Sequence, residues 1–420
     1  MIGFVRRQLS ATAGNLRAFR GNARAVLLTE PFWGVPYNLV STYASVYMLA
    51  LGCTTTQIGL ISSVTLVLSM VFSLVSGSIT DRLGRRRTTL IFDLVSWGGG
   101  MMLWALSRSF TWFLAAAMVN SVVKIVQTAW TCLMIEDTPQ EQRVHIYAWV
   151  YVVGVVAGMI APVAGVFVAG FGLVPAMRGL YLFGFVMMVG MFIVRNAMVT
   201  ETRRGMLKMK ETRHAELGET LADYGRVARK LLRSPLTLAA CFVATLVAIQ
   251  SVLRNTFFAI LLTRGLSFPD ASISIFPAVG AAVTLLVYLL VLPTLGGRGT
   301  AMPLHLGLGL SAAGGLLLVI CPPRSFLVVT ASTILSSAGA AIIVPHSDTF
   351  VANTVEEADR AKALSLYYVV LFALSSPFGY LGGVLFAVSD RLPFALATAV
   401  LLAAFVLASF VPRLERARKE

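Results

Sequence analysis

Long apolar runs separated by short polar loops make up most of the chain. Twelve such runs fall at 27–51, 57–79, 88–107, 111–135, 145–170, 177–199, 235–262, 269–293, 301–321, 325–351, 362–388 and 392–412. A helix of about 20 mostly apolar residues crosses the roughly 30 Å of hydrocarbon in a bilayer, so each run predicts one membrane-spanning helix. The connections are short except for 200–234, which divides the runs into six and six. The pattern predicts an N-terminal segment at 1–26, a six-helix bundle over 27–199, a linker at 200–234, a second six-helix bundle over 235–412 and a tail at 413–420.

Composition narrows the class. Only 13% of residues are charged, against about 25% in soluble domains, and mean hydropathy is +0.81. Such a chain cannot bury its apolar surface in one globular core, which leaves an all-α polytopic membrane protein. A net charge of +15 would suit a nucleic-acid partner, but the basic residues lie in the loops. With the N-terminus inside, inner segments hold 27 of the 34 Lys and Arg residues and outer loops hold five, Arg108, Arg178, Arg264, Arg324 and Arg391. That asymmetry places both termini and the linker in the cytoplasm and excludes nucleic acid as the reason for the charge. The first 24 residues carry Arg6, Arg7, Arg17, Arg20 and Arg24 and no carboxylate. The apolar run that follows is too long for a signal peptide and lacks a cleavage site, so it reads as an uncleaved first span. In the linker, Leu217, Leu221, Tyr224, Ala228 and Leu231 recur at helical spacing among basic residues. This pattern fits either a helix lying on the inner membrane surface or a tether between the halves. Cys53, Cys132, Cys241 and Cys321 form no CxxC pair and have no histidine at ligand spacing, so no metal is expected. They read either as small apolar side chains or, for Cys53 and Cys321 near outer helix ends, as a disulfide. No cofactor is implied, since no GxxxxGK[ST] loop occurs.

The halves resemble each other. Asp81-Arg-Leu-Gly84-Arg-Arg86-Arg-Thr88 aligns with Pro293-Thr-Leu-Gly296-Gly-Arg298-Gly-Thr300, and Arg143 precedes Gly165 by the same interval as Arg360 precedes Gly382. The loop after the second run, Gly77-x-x-x-Asp81-Arg82-x-Gly84-Arg85-Arg86, resembles the conserved cytoplasmic motif of the major facilitator superfamily, and the resemblance extends over the whole chain. It implies twelve transmembrane helices in two six-helix bundles, related by a pseudo-two-fold axis along the membrane normal and each built of inverted three-helix repeats. It implies no enzyme activity but transport by alternating access, and a role for the loop as a conformational latch. In that role Gly77 allows a neighbouring helix to approach, the arginines hold anionic headgroups, and Asp81 pairs near the start of the eleventh span, around Ala361–Leu364. The alternative is a purely topogenic basic loop.

Polar residues inside the spans are the candidates for cargo or ion coupling. Asn120, Lys124, Gln127 and Thr131 form a stripe on the fourth helix, similar to a family pattern that has arginine and glycine where this chain has Lys124 and Thr128. Lys124 lies too deep to snorkel, about 18 Å from the helix end at 1.5 Å per residue. The first span offers Glu30, Asn38, Ser41 and Ser45, the seventh Gln250, Ser251, Arg254 and Asn255, and the tenth Asp348, with His346 at a helix contact. Gly154, Gly158, Pro162 and Gly165 in the fifth span resemble a degraded form of the glycine–proline motif of family exporters. Read structurally, they are close packing with a proline kink. Glu136, Asp137, Glu356 and Glu357 are expected in loop ion pairs beside Arg143 and Arg360, and Asp93 is expected to pair with the basic loop.

Two cargo readings stand. One is proton-coupled export of amphipathic, drug-like molecules, drawn from the fifth-span pattern and from Phe32, Trp33, Tyr37, Trp130 and Tyr151. The other is transport of a small organic anion through Lys124 and Arg254. A non-transporting sensor on the same scaffold is a third reading, which the complete latch loop disfavours. The expected partners are a small-molecule substrate, a proton or other coupling ion, and a bilayer with anionic headgroups at its inner face. The protein is expected as a monomer in the cytoplasmic membrane of a bacterium.

Overall fold

The computed structural model describes residues 19–211, 235–295, 301–354 and 360–410, with the side chains of 141, 144, 235, 348–354 and 360–365 outside that description. It is helical throughout, with no strand among the described residues. In chain order the helices are α1 (Gly21–Ser41), α2 (Ala44–Ala50), α3 (Thr55–Leu83), α4 (Arg85–Leu106), α5 (Phe110–Ile135), α6 (Gln140–Gly158), α7 (Pro162–Phe171), α8 (Leu173–Met198) and α9 (Arg203–Glu211). They continue as α10 (Pro235–Ile260), α11 (Asp270–Leu295), α12 (Ala301–Val319), α13 (Phe326–Thr354), α14 (Arg360–Val388) and α15 (Leu392–Ala408). Ten helical stretches among the described residues are long and apolar enough to cross a membrane. Leu327, Val388, Val166 and Val186 are each more than 60% exposed, an arrangement that is stable in lipid and costly in water.

The predicted spans are not all continuous. Pro31 and Pro36 lie inside α1, which runs through both, and the first span is interrupted further on, between Ser41 and Ala44. In the fifth span, Pro162 has no N–H for the i−4 carbonyl. The helix stops at Gly158, passes through i→i−3 bonds from Ile160 to Ala157 and from Ala161 to Gly158, and restarts at Pro162. In α4 the residues Leu94–Gly99 form a π-helical stretch, which rotates the side chains that follow it.

The chain divides into two compact units. The first comprises Met1–Ser41 and Val71–Ala215, the second Thr42–Met70 and Glu216–Glu420. This grouping differs in one segment from a boundary at 200–234, because the first half of α3 packs within the second unit against α14. Small residues make that possible: a Cβ on Gly379 would lie 2.9 Å from the Gly59 carbonyl oxygen, the Ser63 hydroxyl donates to the Ser376 carbonyl, and Tyr380 N donates to Ser63 Oγ at 2.8 Å. A second seam of this kind joins α12 and α13, where a Cβ on Gly307 would lie 3.0 Å from the Gly339 oxygen and Ser332 Oγ donates to the Gly314 carbonyl at 2.7 Å. Between helices in lipid, where the hydrophobic effect gives no drive, such close packing carries the association.

One kind of contact occurs in both units. In the first unit Arg178, on α8, donates to the Ser107 carbonyl at the end of α4 at 3.5 Å. In the second, Arg391 donates to the Val319 and Cys321 carbonyls at the end of α12 at 3.2 and 2.9 Å. Each guanidinium satisfies carbonyls that a helix C-terminus leaves unbonded.

All four cysteines are free thiols, so the Cys53–Cys321 disulfide is not formed. The predicted linker helix around 217–231, the tail from 413, the aligned residues Gly296–Thr300 and the acids Glu356 and Glu357 lie outside the described residues. The linker begins with α9, whose Met206 and Leu207 are exposed beside Arg203, Arg204, Lys208 and Lys210.

Candidate functional site

The first unit encloses a cavity of about 380 Å³, within the usual range of small-molecule sites. Four spans supply its aromatic wall. Trp33 and Tyr37, one turn apart on α1, stack at 5.0 Å, and Trp97 meets both edge-on at 5.3 and 5.6 Å. Trp97 lies in the π-helical stretch of α4. Trp130 and Phe192 complete the rings, and Glu30, Asp93, Lys124, Gln127 and Arg195 are the polar lining.

Within that lining, Asp93 and Arg195 form an ion pair whose side chains are 4% and 5% exposed. This corrects one expectation: Asp93 pairs not with the basic loop but with Arg195, a buried residue of α8. Each charge, taken out of water, is costly alone, so the pair forms across the two helices, with Arg195 also 5.4 Å over the Phe192 ring. Lys124 Nζ donates to Gln127 Oε1 at 3.2 Å, one turn away. With Glu30, the cavity holds two acidic and two basic groups.

The expected stripe on α5 is split. Lys124 and Gln127 reach the cavity, but Asn120 donates to the Ser96 carbonyl at 3.0 Å. The α-helical ladder is interrupted at Val122, whose N–H bonds to Val119, and this shifts the phase of the face. Thr131 folds back onto the Gln127 carbonyl, and Asn38 onto the Gly34 carbonyl at 2.8 Å. Ser41 is exposed at the end of α1. Neither Asn38 nor Ser41 lines this cavity.

The motif loop forms a charged cluster at one end of the first unit. Gly84 takes φ = +83°, a conformation that non-glycine residues rarely adopt. It places the start of α4 under Glu201, whose two carboxylate oxygens accept Arg85 N at 2.9 Å and Arg86 N at 3.0 Å. A carboxylate there satisfies orphan N–H groups and meets the positive end of the helix dipole. Arg85 is buried, with its guanidinium between Asp81 at 2.9 Å and Glu136 at 2.9 Å. Thr202 Oγ1 donates to Glu136 at 2.5 Å, and Arg86 Nε donates to the Asn196 carbonyl at 3.1 Å. Arg82 is exposed. Glu136 therefore meets Arg85, not Arg143, which donates to the Thr138 carbonyl at 3.1 Å. Asp137 accepts Arg203 N at 3.4 Å. The proposed partners of Asp81 at Ala361–Leu364 have side chains outside the description.

Two glycines depart from expectation. At Gly77 and Gly154 an added Cβ would meet nothing within 4 Å among the described residues, so neither marks a close helix approach there. In the fifth span the tight contact is at Ala157, whose Cβ lies 3.1 Å from where a Cβ on Gly34 would be. Gly158 ends α6, Pro162 opens α7 and Gly165 is buried within it.

In the second unit Arg254 donates to Ser336 Oγ on α13 at 3.1 Å and lies 4.8 Å over the Phe258 ring. Gln250 accepts a long bond of 3.5 Å from Ser251, and His346 Nδ1 contacts the Ile342 carbonyl at 2.8 Å. The Asp348 side chain lies outside the description.

The sequence pattern missed Asp93, Trp97 and Arg195 as lining residues. Asp93 and Arg195 read as ends of apolar runs, and the π-helical turn that aims Trp97 leaves no mark in the periodicity. The signal available was the glycine run Gly98–Gly100 beside Trp97.

A family model described as Major Facilitator Superfamily matches residues 34–324. No curated protein matches the chain. Among solved structures, a mutant of the nucleoside transporter NupG superposes with a TM-score of 0.75 at 14% identity, covering 94% of this chain and 99% of its own. A POT family transporter in complex with 5-aminolevulinic acid gives 0.74 at 13%, covering 93% and 96%. The human organic anion transporter MFSD10 gives 0.62 at 16%, covering 93% and 100%. At these identities the likeness is one of fold. Together with the family match over most of its length, it makes this chain a multi-pass membrane transporter that belongs to the Major Facilitator Superfamily.

Proposed function

We propose that the protein is a secondary active transporter that exports amphipathic, aromatic-bearing small molecules in exchange for protons, working by alternating access in a bacterial cytoplasmic membrane. One observation carries this reading: Glu30 and Lys124 line the same cavity as Trp33, Tyr37, Trp97 and Trp130. Ring faces take up flat apolar cargo. A carboxylate in a low-dielectric cavity is costly while charged, so a proton and a cationic partner compete for it. Glu30 is the group on which that competition falls, because Asp93 is already held by Arg195. Export follows from the resemblance of the fifth span to the exporter pattern.

The anion reading has less support. It needs two cations available to cargo, but Arg254 is engaged by Ser336 and Phe258, and Lys124 shares its cavity with two acids. Its remaining support is that Lys124 lines a cavity.

The test is flux in proteoliposomes with an imposed pH gradient, using an uncharged amphipathic dye, tetraphenylphosphonium and benzoate. Dye flux driven by the gradient, with that dependence lost in Glu30→Gln, is the expected result. A gradient without effect on any of the three fluxes overturns proton coupling. Benzoate flux abolished by Arg254→Ala, with no dye flux, selects the anion reading.

A further inference from the structure

We infer that α9 docks on the anionic lipid of the inner leaflet and ties that lipid to the motif cluster. The two faces of the helix carry the inference. One face is buried on the motif. Thr202, the residue before α9, accepts the Gly205 N–H at 2.9 Å and donates to Glu136 at 2.5 Å. The hydroxyl that caps the helix therefore also holds the acid that pairs with Arg85. Gly205 is buried, and a Cβ on it would lie 2.9 Å from Arg85 Cδ. Met209, one turn on, has its Sδ 2.8 Å from where a Cβ on Gly84 would be. Just upstream, Asn22 of α1 bonds both the N–H and the carbonyl of Thr200, each at 2.9 Å. The helix is thus fixed against the ends of α1, α4 and α5.

The other face is open. Arg203, Met206, Leu207 and Lys210 stand at i, i+3, i+4 and i+7, which is one side of a helix. All four are exposed, Leu207 by 60%, and Arg204 is exposed beside them. Lys208 pairs with Glu211 at 2.8 Å, and Asp137 accepts the Arg203 backbone N–H at 3.4 Å. Among the described residues Arg203, Arg204 and Lys210 form no ion pair.

An exposed leucine and methionine are unfavourable in open water, and three cations are unfavourable in hydrocarbon. The boundary of an anionic leaflet suits both, because apolar side chains enter the acyl edge while cations meet phosphate. The chain places α9 at that boundary. The membrane-spanning α8 ends at Met198 and α9 begins at Arg203, on the side that the basic loops assign to the cytoplasm. The motif arginines leave the headgroup role open. Arg85 is buried between Asp81 and Glu136, and Arg86 Nε is bonded to the Asn196 carbonyl.

Amide hydrogen exchange in the full chain tests this, in nanodiscs of phosphatidylcholine and in nanodiscs of phosphatidylglycerol. The measurement needs no cargo and no gradient, so its outcome is independent of the flux experiment. At about fivefold per basic residue near an anionic surface, residues 203–211 should exchange at least about tenfold more slowly in phosphatidylglycerol. Salt at about 1 M should remove most of that difference. The amides of Arg85 and Arg86, which Glu201 caps, should slow in parallel. Replacing Arg203, Arg204 and Lys210 together by glutamine should return exchange to the phosphatidylcholine rate. Arg203→Gln alone, expected to lose about fivefold, gives the same reading should the triple variant fail to fold by gel filtration. Leu207→Gln keeps every charge and should lose about threefold of the protection. Equal exchange of α9 in the two lipids would leave its open face to a soluble acidic partner and overturn the inference. So would a lipid difference that survives the charge substitutions, a Leu207→Gln helix as protected as the parent, or Arg85 and Arg86 amides indifferent to the lipid.

Discussion

Replacing Arg195 by methionine tests the electrostatic arrangement of the first-unit cavity. Both members of the Asp93–Arg195 pair are at least 95% buried. Removing one leaves the other charge in the interior without its partner, which costs about 3–5 kcal/mol. At an unfolding entropy of about 2.1 cal/mol/K per residue, the 420-residue chain loses roughly 1 °C of Tm per kcal/mol, so about 3–5 °C. The two single variants should differ. Arg195→Met leaves Asp93 and Glu30 as two acids in one cavity, whereas Asp93→Leu leaves Arg195 beside Glu30, which also lines it. The arginine variant should therefore be the less stable of the two. The double variant leaves neither charge behind and should recover most of the loss, as apolar replacement of buried pairs often does. The assay is a thermal melt in detergent read by the monodisperse fraction on gel filtration, run as a double-mutant cycle. A double variant that loses the sum of the singles, or an arginine variant no worse than the aspartate one, would refute the reasoning.

Further outcomes follow from the motif cluster and the seams. Gly84→Ala must place a side chain at φ = +83° with its Cβ 2.6 Å from Glu201 Oε2; a loss of at least about 1 kcal/mol is expected, seen as a lower Tm. Glu201→Gln keeps the shape of the α4 cap and removes its charge, for a loss of about 0.5–1 kcal/mol that shrinks in high salt, read by the same melt at two ionic strengths. Gly77→Ala should change stability by no more than about 0.5 kcal/mol, because its Cβ would meet nothing within 4 Å among the described residues; a larger fall in Tm would show a packing role there. Gly314→Val places a branched side chain where a Cβ is already 2.8 Å from the Ser332 oxygen, and overpacking of about 1–3 kcal/mol should lower both Tm and expression.

The all-helical, membrane-spanning class was legible from the sequence, because run length against bilayer thickness is a local property. So was the family, because Gly77 to Arg86 is a contiguous motif. Pro162 announced its break in the fifth span, since a missing N–H acts on the four residues before it. Lys124 stood out by depth alone. What tertiary structure decided was partnership. Arg85 had acids on several helices within reach in principle, and only the fold set it between Asp81 and Glu136, leaving Glu201 to cap the α4 backbone. Asp93 and Arg195 are more than a hundred residues apart in the chain, and no periodicity links them. The π-helical turn at Leu94–Gly99 and the interruption at Val122 rotate side chains by a fraction of a turn. That is enough to bring Trp97 into the cavity and take Asn120 out of it, and neither shift changes the apolar count on which a sequence pattern depends. Sequence therefore determined which segments enter the membrane, because transfer from water to lipid is summed along one helix. Only the fold decided which polar groups meet there, because a buried charge is satisfied by whatever lies within a few ångströms in space.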